Sequence, residues 1–90
     1  MMFMTVFTYP PERRDEIIKR RIDKGSMIPE GVKSLGEWSD LGGGRVFRLI
    51  DVATDDLKAL LAGSRAWNDL GKVELVPVAE TEQAIKVALR

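Results

Sequence analysis

Three consecutive glycines, Gly42–Gly44, separate two segments rich in residues that favour β-strands. A phosphate-binding loop needs a glycine-rich turn that leads into a helix, whose N-terminus supplies the donors. These glycines lead instead into VFRLIDV, a strand-like segment. Glycines also allow the positive φ that tight hairpin turns require. We therefore predict a β-hairpin here, and contact of the loop with a ligand stays an alternative.

One register of this hairpin matches several cross-strand pairs at once. A two-residue turn at Gly42-Gly43 and a four-residue loop at Leu41–Gly44 give the same partners. The predicted pairs are Asp40 with Arg45, Trp38 with Phe47, Glu37 with Arg48, and Leu35 with Ile50. Each such pair contributes roughly 0.2–1 kcal/mol. A slip by one residue would place Glu37 opposite Phe47 or Leu49, so the pattern favours a single register.

The rest of the chain alternates between strand-like and helix-like patterns. The predicted strands are Met2–Tyr9, Val32–Asp40, Arg45–Val52 and Lys72–Ala79, and the predicted helices are Glu12–Gly25, Thr54–Gly71 and a short one from about Thr81. Thr54 is expected to cap the second helix, and Pro77 indicates an edge strand. The last helix would place Ala84, Ile85, Ala88 and Leu89 on one side.

The order β-α-β-β-α-β is typical of the ferredoxin-like fold. We therefore predict an α+β protein with a four-stranded antiparallel sheet, in which the first and third strands are central. The 90 residues are expected to form a single ferredoxin-like domain, with the short third helix as an addition at the C-terminal end.

Both central strands carry apolar side chains on both faces. On the first strand, Phe3, Phe7 and Tyr9 oppose Met2, Met4 and Val6; on the third, Phe47 and Leu49 oppose Val46, Ile50 and Val52. Two helices can cover only one face of the sheet, and monomers rarely expose a large apolar patch. We expect a homodimer in which a second copy covers the helix-free face. The alternative is that the C-terminal helix folds across that face.

Composition narrows the possible chemistry. The chain has no cysteine and no histidine, and its 14 basic residues balance 14 acidic ones. These counts argue against disulfides, thiolate or histidine metal sites and histidine-based catalysis. We predict no metal, no cofactor, no nucleic-acid partner and no membrane partner. The expected location is the cytoplasm.

Four residues are candidates for a ligand pocket: Trp38, Trp67, Asn68 and Arg14. The tryptophans could enclose a flat organic ligand that Asn68 orients. Arg14 and Arg21 share a helix sector with Ile17 and Ile18, where they could bind an anionic ligand. The alternatives are tryptophans packed in the core and arginine stems lying along apolar surface. Arg48 is expected to pair with Glu37, the alternative being that it faces a pocket, and we assign no catalytic residue.

The runs WSDLGGGRVFRLIDV, PPERRDEIIKR, PEGVKSLGEW and AWNDLGKVELVPV resemble a family of short proteins in the domain-of-unknown-function series, over Met2 to Val78. More broadly, the chain resembles the dimeric α+β barrel proteins. That resemblance implies a small homodimer that binds a small organic molecule or a protein partner. The alternative it implies is a cofactor-independent monooxygenase or isomerase that acts in a pocket between helices and sheet. Haem-degrading members of the group use a histidine ligand, which this chain lacks.

Overall fold

The structure, a computed structural model, describes residues 1–88 and contains within them four β-strands and three α-helices. The elements are β1 (Met2–Thr8), α1 (Arg14–Lys24), β2 (Val32–Ser39), β3 (Arg45–Val52), α2 (Lys58–Arg65), β4 (Lys72–Val78) and α3 (Thr81–Ala88). This order and the antiparallel sheet confirm the predicted α+β, ferredoxin-like fold. Leu89, which we placed on the last helix, lies outside the described residues.

The strand order is β2-β3-β1-β4. It confirms that β1 and β3 are central, and it places β4 at an edge of the sheet. Pro77 lies in this edge strand. Proline is tolerated there because an edge strand has a neighbouring strand on one side only, so the N–H groups of its other side make no hydrogen bonds within the sheet.

The distribution of charge along α1 matches the helix dipole. Asp15 and Glu16 lie in its first turn, and Arg21 and Lys24 in its last. Gly25 ends the helix with a φ of 70°, and its N–H donates to the carbonyl of Arg21 at 2.9 Å. A one-turn 3₁₀ segment, Pro11–Arg13, precedes α1, so helical backbone begins close to the predicted position.

The glycine run forms the predicted hairpin turn. Trp38 pairs with Phe47, and Glu37 with Arg48, as the sequence predicts. The backbone N–H of Asp40 donates to the carbonyl of Arg45 at 2.9 Å. Leu41–Gly44 is therefore the four-residue loop, and Gly43 and Gly44 both adopt a φ of 88°. A non-glycine residue would be strained at either position.

The predicted pair of Leu35 with Ile50 is wrong. Ser34 lies opposite Ile50 and Gly36 opposite Leu49, so Leu35 is the extra residue of a β-bulge and is 45% exposed. Gly36 accounts for the irregularity, because the ring of Trp38 occupies the space above it. A Cβ at Gly36 would lie 2.6 Å from Cη2 of that ring. A strand weakened by glycine at this point accommodates the bulge.

The second helix is shorter than predicted. α2 ends at Arg65 rather than near Gly71, and Thr54 lies in a 3₁₀ turn without capping the helix through its side chain. Trp67 therefore lies in a turn, where its N–H donates to the carbonyl of Ser64 at 3.2 Å. The hydroxyl of Ser64 also donates to a backbone carbonyl within α2, and a residue of this type favours helix ends over helix interiors.

The two faces of the sheet differ in burial. Five apolar residues of the described part of the chain are buried: Phe3, Ile50, Val52, Leu60 and Leu70. The strand residues among them face the side on which α1 and α2 lie. The opposite side, the helix-free face, presents Met4, Val6, Trp38, Phe47, Leu49 and Val76. None of these six is buried, and every residue of α3 is exposed, so α3 does not bury the helix-free face.

Candidate functional site

A cavity of about 980 Å³ lies between the two helices and the facing side of the sheet. The sheet contributes residues such as Thr5, Phe7 and Arg48 from its central strands. The helices contribute Ile17 and Ile18 from α1 and Leu60 and Ser64 from α2, and the glycine loop Leu41–Gly44 also lines the cavity. Its walls are thus mostly apolar, with a few polar groups.

The cavity exists because α1 does not pack closely on the sheet. No residue of α1 is buried. Ile18 and Ile22 are on its cavity side, yet they are 45% and 76% exposed. A helix packed directly on a sheet would bury such side chains in a core without voids. Here the space between α1 and the sheet is open.

Arg20 holds α1 to the segment that follows α2. Its Nη1 and Nη2 lie 2.7 Å from Oδ1 and Oδ2 of Asp69, and Nη1 also donates to the carbonyl of Ala66 at 2.8 Å. The guanidinium carbon lies 5.7 Å from the ring centroid of Trp67, a cation–π distance. The hydrogen bond from Arg20 lowers the pKa of Asp69 below its ordinary value. This bidentate contact fixes α1 at one side of the cavity.

Arg21 holds α1 to the sheet through Glu37. Its Nη1 donates to Oε2 of Glu37 at 3.0 Å. Arg48, the cross-strand neighbour of Glu37, donates to the same oxygen from Nη2. One carboxylate therefore joins a helix and two strands. The Arg48 side chain is only 18% exposed, and its Nε is buried with no hydrogen-bond partner among residues 1–88.

The two arginines set the charge state of Glu37. Burial is the largest influence and acts to raise the pKa of this carboxyl group. The hydrogen bond from Arg21 and the charges of Arg48 and Arg21 together outweigh it, so the pKa lies below its ordinary value of 4.5. Glu37 is therefore ionised at neutral pH.

An aromatic wall, formed by Phe7, Tyr9 and Trp67, lines the cavity. The ring centroid of Phe7 lies 5.7 Å from that of Tyr9 and 6.1 Å from that of Trp67. Both pairs are tilted, as aromatic side chains prefer when they contact each other. The wall offers a flat organic molecule an extended apolar surface.

The structure brings together two of the four predicted pocket residues. Arg14 and Trp67 line the cavity, whereas Trp38 lies on the helix-free face. Asn68 is exposed in the turn after α2 and is not among the lining residues. Arg48, for which pairing with Glu37 was favoured over a position facing a pocket, has both: it pairs with Glu37 and lines the cavity. The two-residue period of β3 places it on the face of Val46 and Ile50.

Two further features bear on function. Among residues 1–88, no three acidic side chains lie close enough together to hold a metal ion. Within the same residues, each helix is too short or too polar to cross a membrane.

The chain matches the domain of unknown function DUF3303 over residues 1–90, and it belongs to that family. No curated protein matches it.

Replacement of Glu37 by Gln removes the charge and keeps the shape of the side chain. At pH 7 we expect the variant to be less stable than wild type by about 1 kcal/mol, since the site is partly exposed. Because the folded-state pKa of Glu37 is lowered, its contribution is present above the unfolded value of 4.5 and is lost as the pH falls through the folded value.

Urea unfolding of both proteins at several pH values between 7 and 3 measures this difference, and contributions from other carboxylates cancel. A stability difference that stays constant over this range would contradict the assigned role of Glu37.

Proposed function

We propose that this protein is a small homodimer that binds a small organic molecule in the cavity between its helices and sheet. The observation that carries the proposal is the cavity itself, whose volume of about 980 Å³ lies at the upper end of the range of small-molecule sites. Its mixture of apolar walls and a few polar groups is also typical of such sites.

An open cavity of this size leaves apolar side chains in contact with water, so their surface contributes little to stability. The chain has only 90 residues to supply a core. A ligand that fills the cavity would restore the missing contacts of Phe7, Trp67 and the α1 isoleucines. Ligand binding and stability are then linked, because a molecule that binds only the folded state stabilises it.

Surface area supports the second copy. The chain exposes 6576 Å², whereas a monomer of this length is expected to expose about 5300 Å². The open cavity and the helix-free face both contribute to the excess. A standard interface buries about 800 Å² on each partner, which the helix-free face and the exposed α3 could supply together. This arrangement would agree with the kinship to dimeric α+β barrel proteins expected from the sequence, and the expected cytoplasmic location is part of the same proposal.

The enzymatic alternative, a cofactor-independent monooxygenase or isomerase, stays a prediction. It would use the same cavity. Turnover of a compound bound there would reveal it.

Ligand binding is tested with a neutral aromatic probe, 2-naphthamide, by calorimetric titration. We expect one probe molecule per chain. Ser64→Phe places a ring in the cavity from α2 and should abolish binding. Ala62→Phe is the matched control, because Ala62 lies on the same helix but is exposed and outside the lining, and it should bind as wild type does. Absence of probe binding, or equal binding by both variants, would contradict the proposed site.

The homodimer is tested by sedimentation velocity at micromolar concentration. Wild type is expected to sediment as a dimer. Val76→Glu introduces a charge on the helix-free face, where Val76 is 43% exposed, and should yield a folded monomer because a buried unpaired charge is costly. Leu41→Glu, at a fully exposed loop position, is the matched control and should stay dimeric. A monomeric wild-type protein would overturn the proposed assembly.

A further inference from the structure

The Arg21–Glu37–Arg48 group offers more hydrogen-bond donors than acceptors. A guanidinium group has five N–H donors, and a carboxylate has about four acceptor sites. Here two guanidinium groups share one carboxylate, and the buried Nε of Arg48 has no partner within residues 1–88. Buried donors are almost always hydrogen-bonded, to protein, water or ligand. The Nε of Arg48, unpartnered in the described chain, therefore shows that Glu37 alone does not satisfy the donors of this group.

Positive charge exceeds negative charge around the cavity. Within residues 1–88, three arginines and two acids line it: Arg14, Arg21, Arg48, Glu37 and Asp40. Asp40 is already paired with a cation outside the lining, since its Oδ2 lies 3.0 Å from Nε of Arg45. Glu37 alone is then left to balance three guanidinium groups. An anion is the ligand charge that such a lining favours.

The excess positive charge lies at two separate points. Arg21 and Arg48 meet at Glu37, whereas Arg14 lies two helical turns earlier on α1, about 10 Å away along the helix axis. Only the point at Glu37 combines converging guanidinium groups with a buried donor that has no partner in the described chain.

We propose that the cavity binds an organic acid whose carboxylate is held by Arg48 and Arg21 beside Glu37, while its apolar body lies against the aromatic wall. This inference rests on the proposed function and adds the chemical class of the ligand. Arginine suits the task because its planar fork matches a carboxylate. Glu37 keeps both guanidinium groups in position before the ligand arrives, which reduces the entropy lost on binding.

Glu37 also competes with the ligand for the same donors. The competition and the repulsion between two neighbouring carboxylates outweigh the positioning effect, so loss of Arg48 and loss of Glu37 have opposite effects on anion binding. A purely structural role of the group predicts weaker binding after either substitution.

The test compares 2-naphthoate with 2-naphthamide, which has the same ring system and a neutral head group of the same shape. Calorimetric titration of the wild-type protein at pH 7 is expected to give a Kd for the naphthoate that is lower by about tenfold or more. Arg48→Met should remove this preference, and Glu37→Gln should increase it. Neither variant should change the affinity for the amide by a similar factor.

Arg14→Met is the matched control, because it removes a guanidinium group that lines the same cavity. This group lies about a Debye length from the proposed carboxylate position, so salt largely screens its charge there. It should leave most of the preference intact. Binding of the amide with no preference for the naphthoate would overturn the inference and leave the proposed function standing, whereas failure of both probes to bind would overturn the two together. A preference lost in Arg14→Met and kept in Arg48→Met would also contradict the assigned position.

Discussion

The ion pairs of Arg20 and Arg21 determine how α1 sits on the sheet, and the cavity depends on them. Arg20 donates two hydrogen bonds of 2.7 Å to Asp69, and Arg21 donates a hydrogen bond to Glu37 of the sheet. The apolar residues of the same helix bury little surface, as the exposure of Ile18 and Ile22 shows. A helix held by charged contacts at its sides can stand off the sheet, because its position does not depend on a filled core beneath it.

The two faces of the sheet therefore differ in how their apolar side chains are covered. On the helix side, the core around Phe3, Ile50 and Leu60 is compact, and the remaining space beside it is the cavity. On the helix-free face, none of the six apolar side chains is buried. The proposed ligand would fill the cavity, and the proposed second copy would cover the helix-free face. Each proposal can therefore be tested without the other.

The sequence predicted the sheet well because its signals there are local and redundant. The opposite charges of Glu37 and Arg48 predict the same register as the glycine loop does. The structure has this register at the hairpin. The bulge at Leu35 depends on where the ring of Trp38 lies above Gly36. That is a packing detail across one strand, and no local pattern encodes it.

The candidate site was predictable only in part. Arg14 and the isoleucines share a helical sector, and the structure has this sector at the cavity. The sequence analysis named Trp38 as a pocket residue, whereas its predicted pairing with Phe47 and strand alternation already put it on the face opposite Val46 and Ile50. The early end of α2 places Trp67 in a turn, close to Ser64, a residue type that favours helix ends over helix interiors.

Hydrogen exchange of α1 tests most directly whether charged contacts, rather than apolar packing, hold this helix. Asp69→Asn removes the charge that Arg20 binds, and Glu74→Gln is its control, since in the structure described Glu74 pairs with Lys72 on β4 and is not part of α1 or its contacts. Our account predicts faster exchange of the Arg14–Lys24 amides in Asp69→Asn, with β1 and β3 unchanged, and little effect in Glu74→Gln. Unaltered protection of α1 in Asp69→Asn would contradict it.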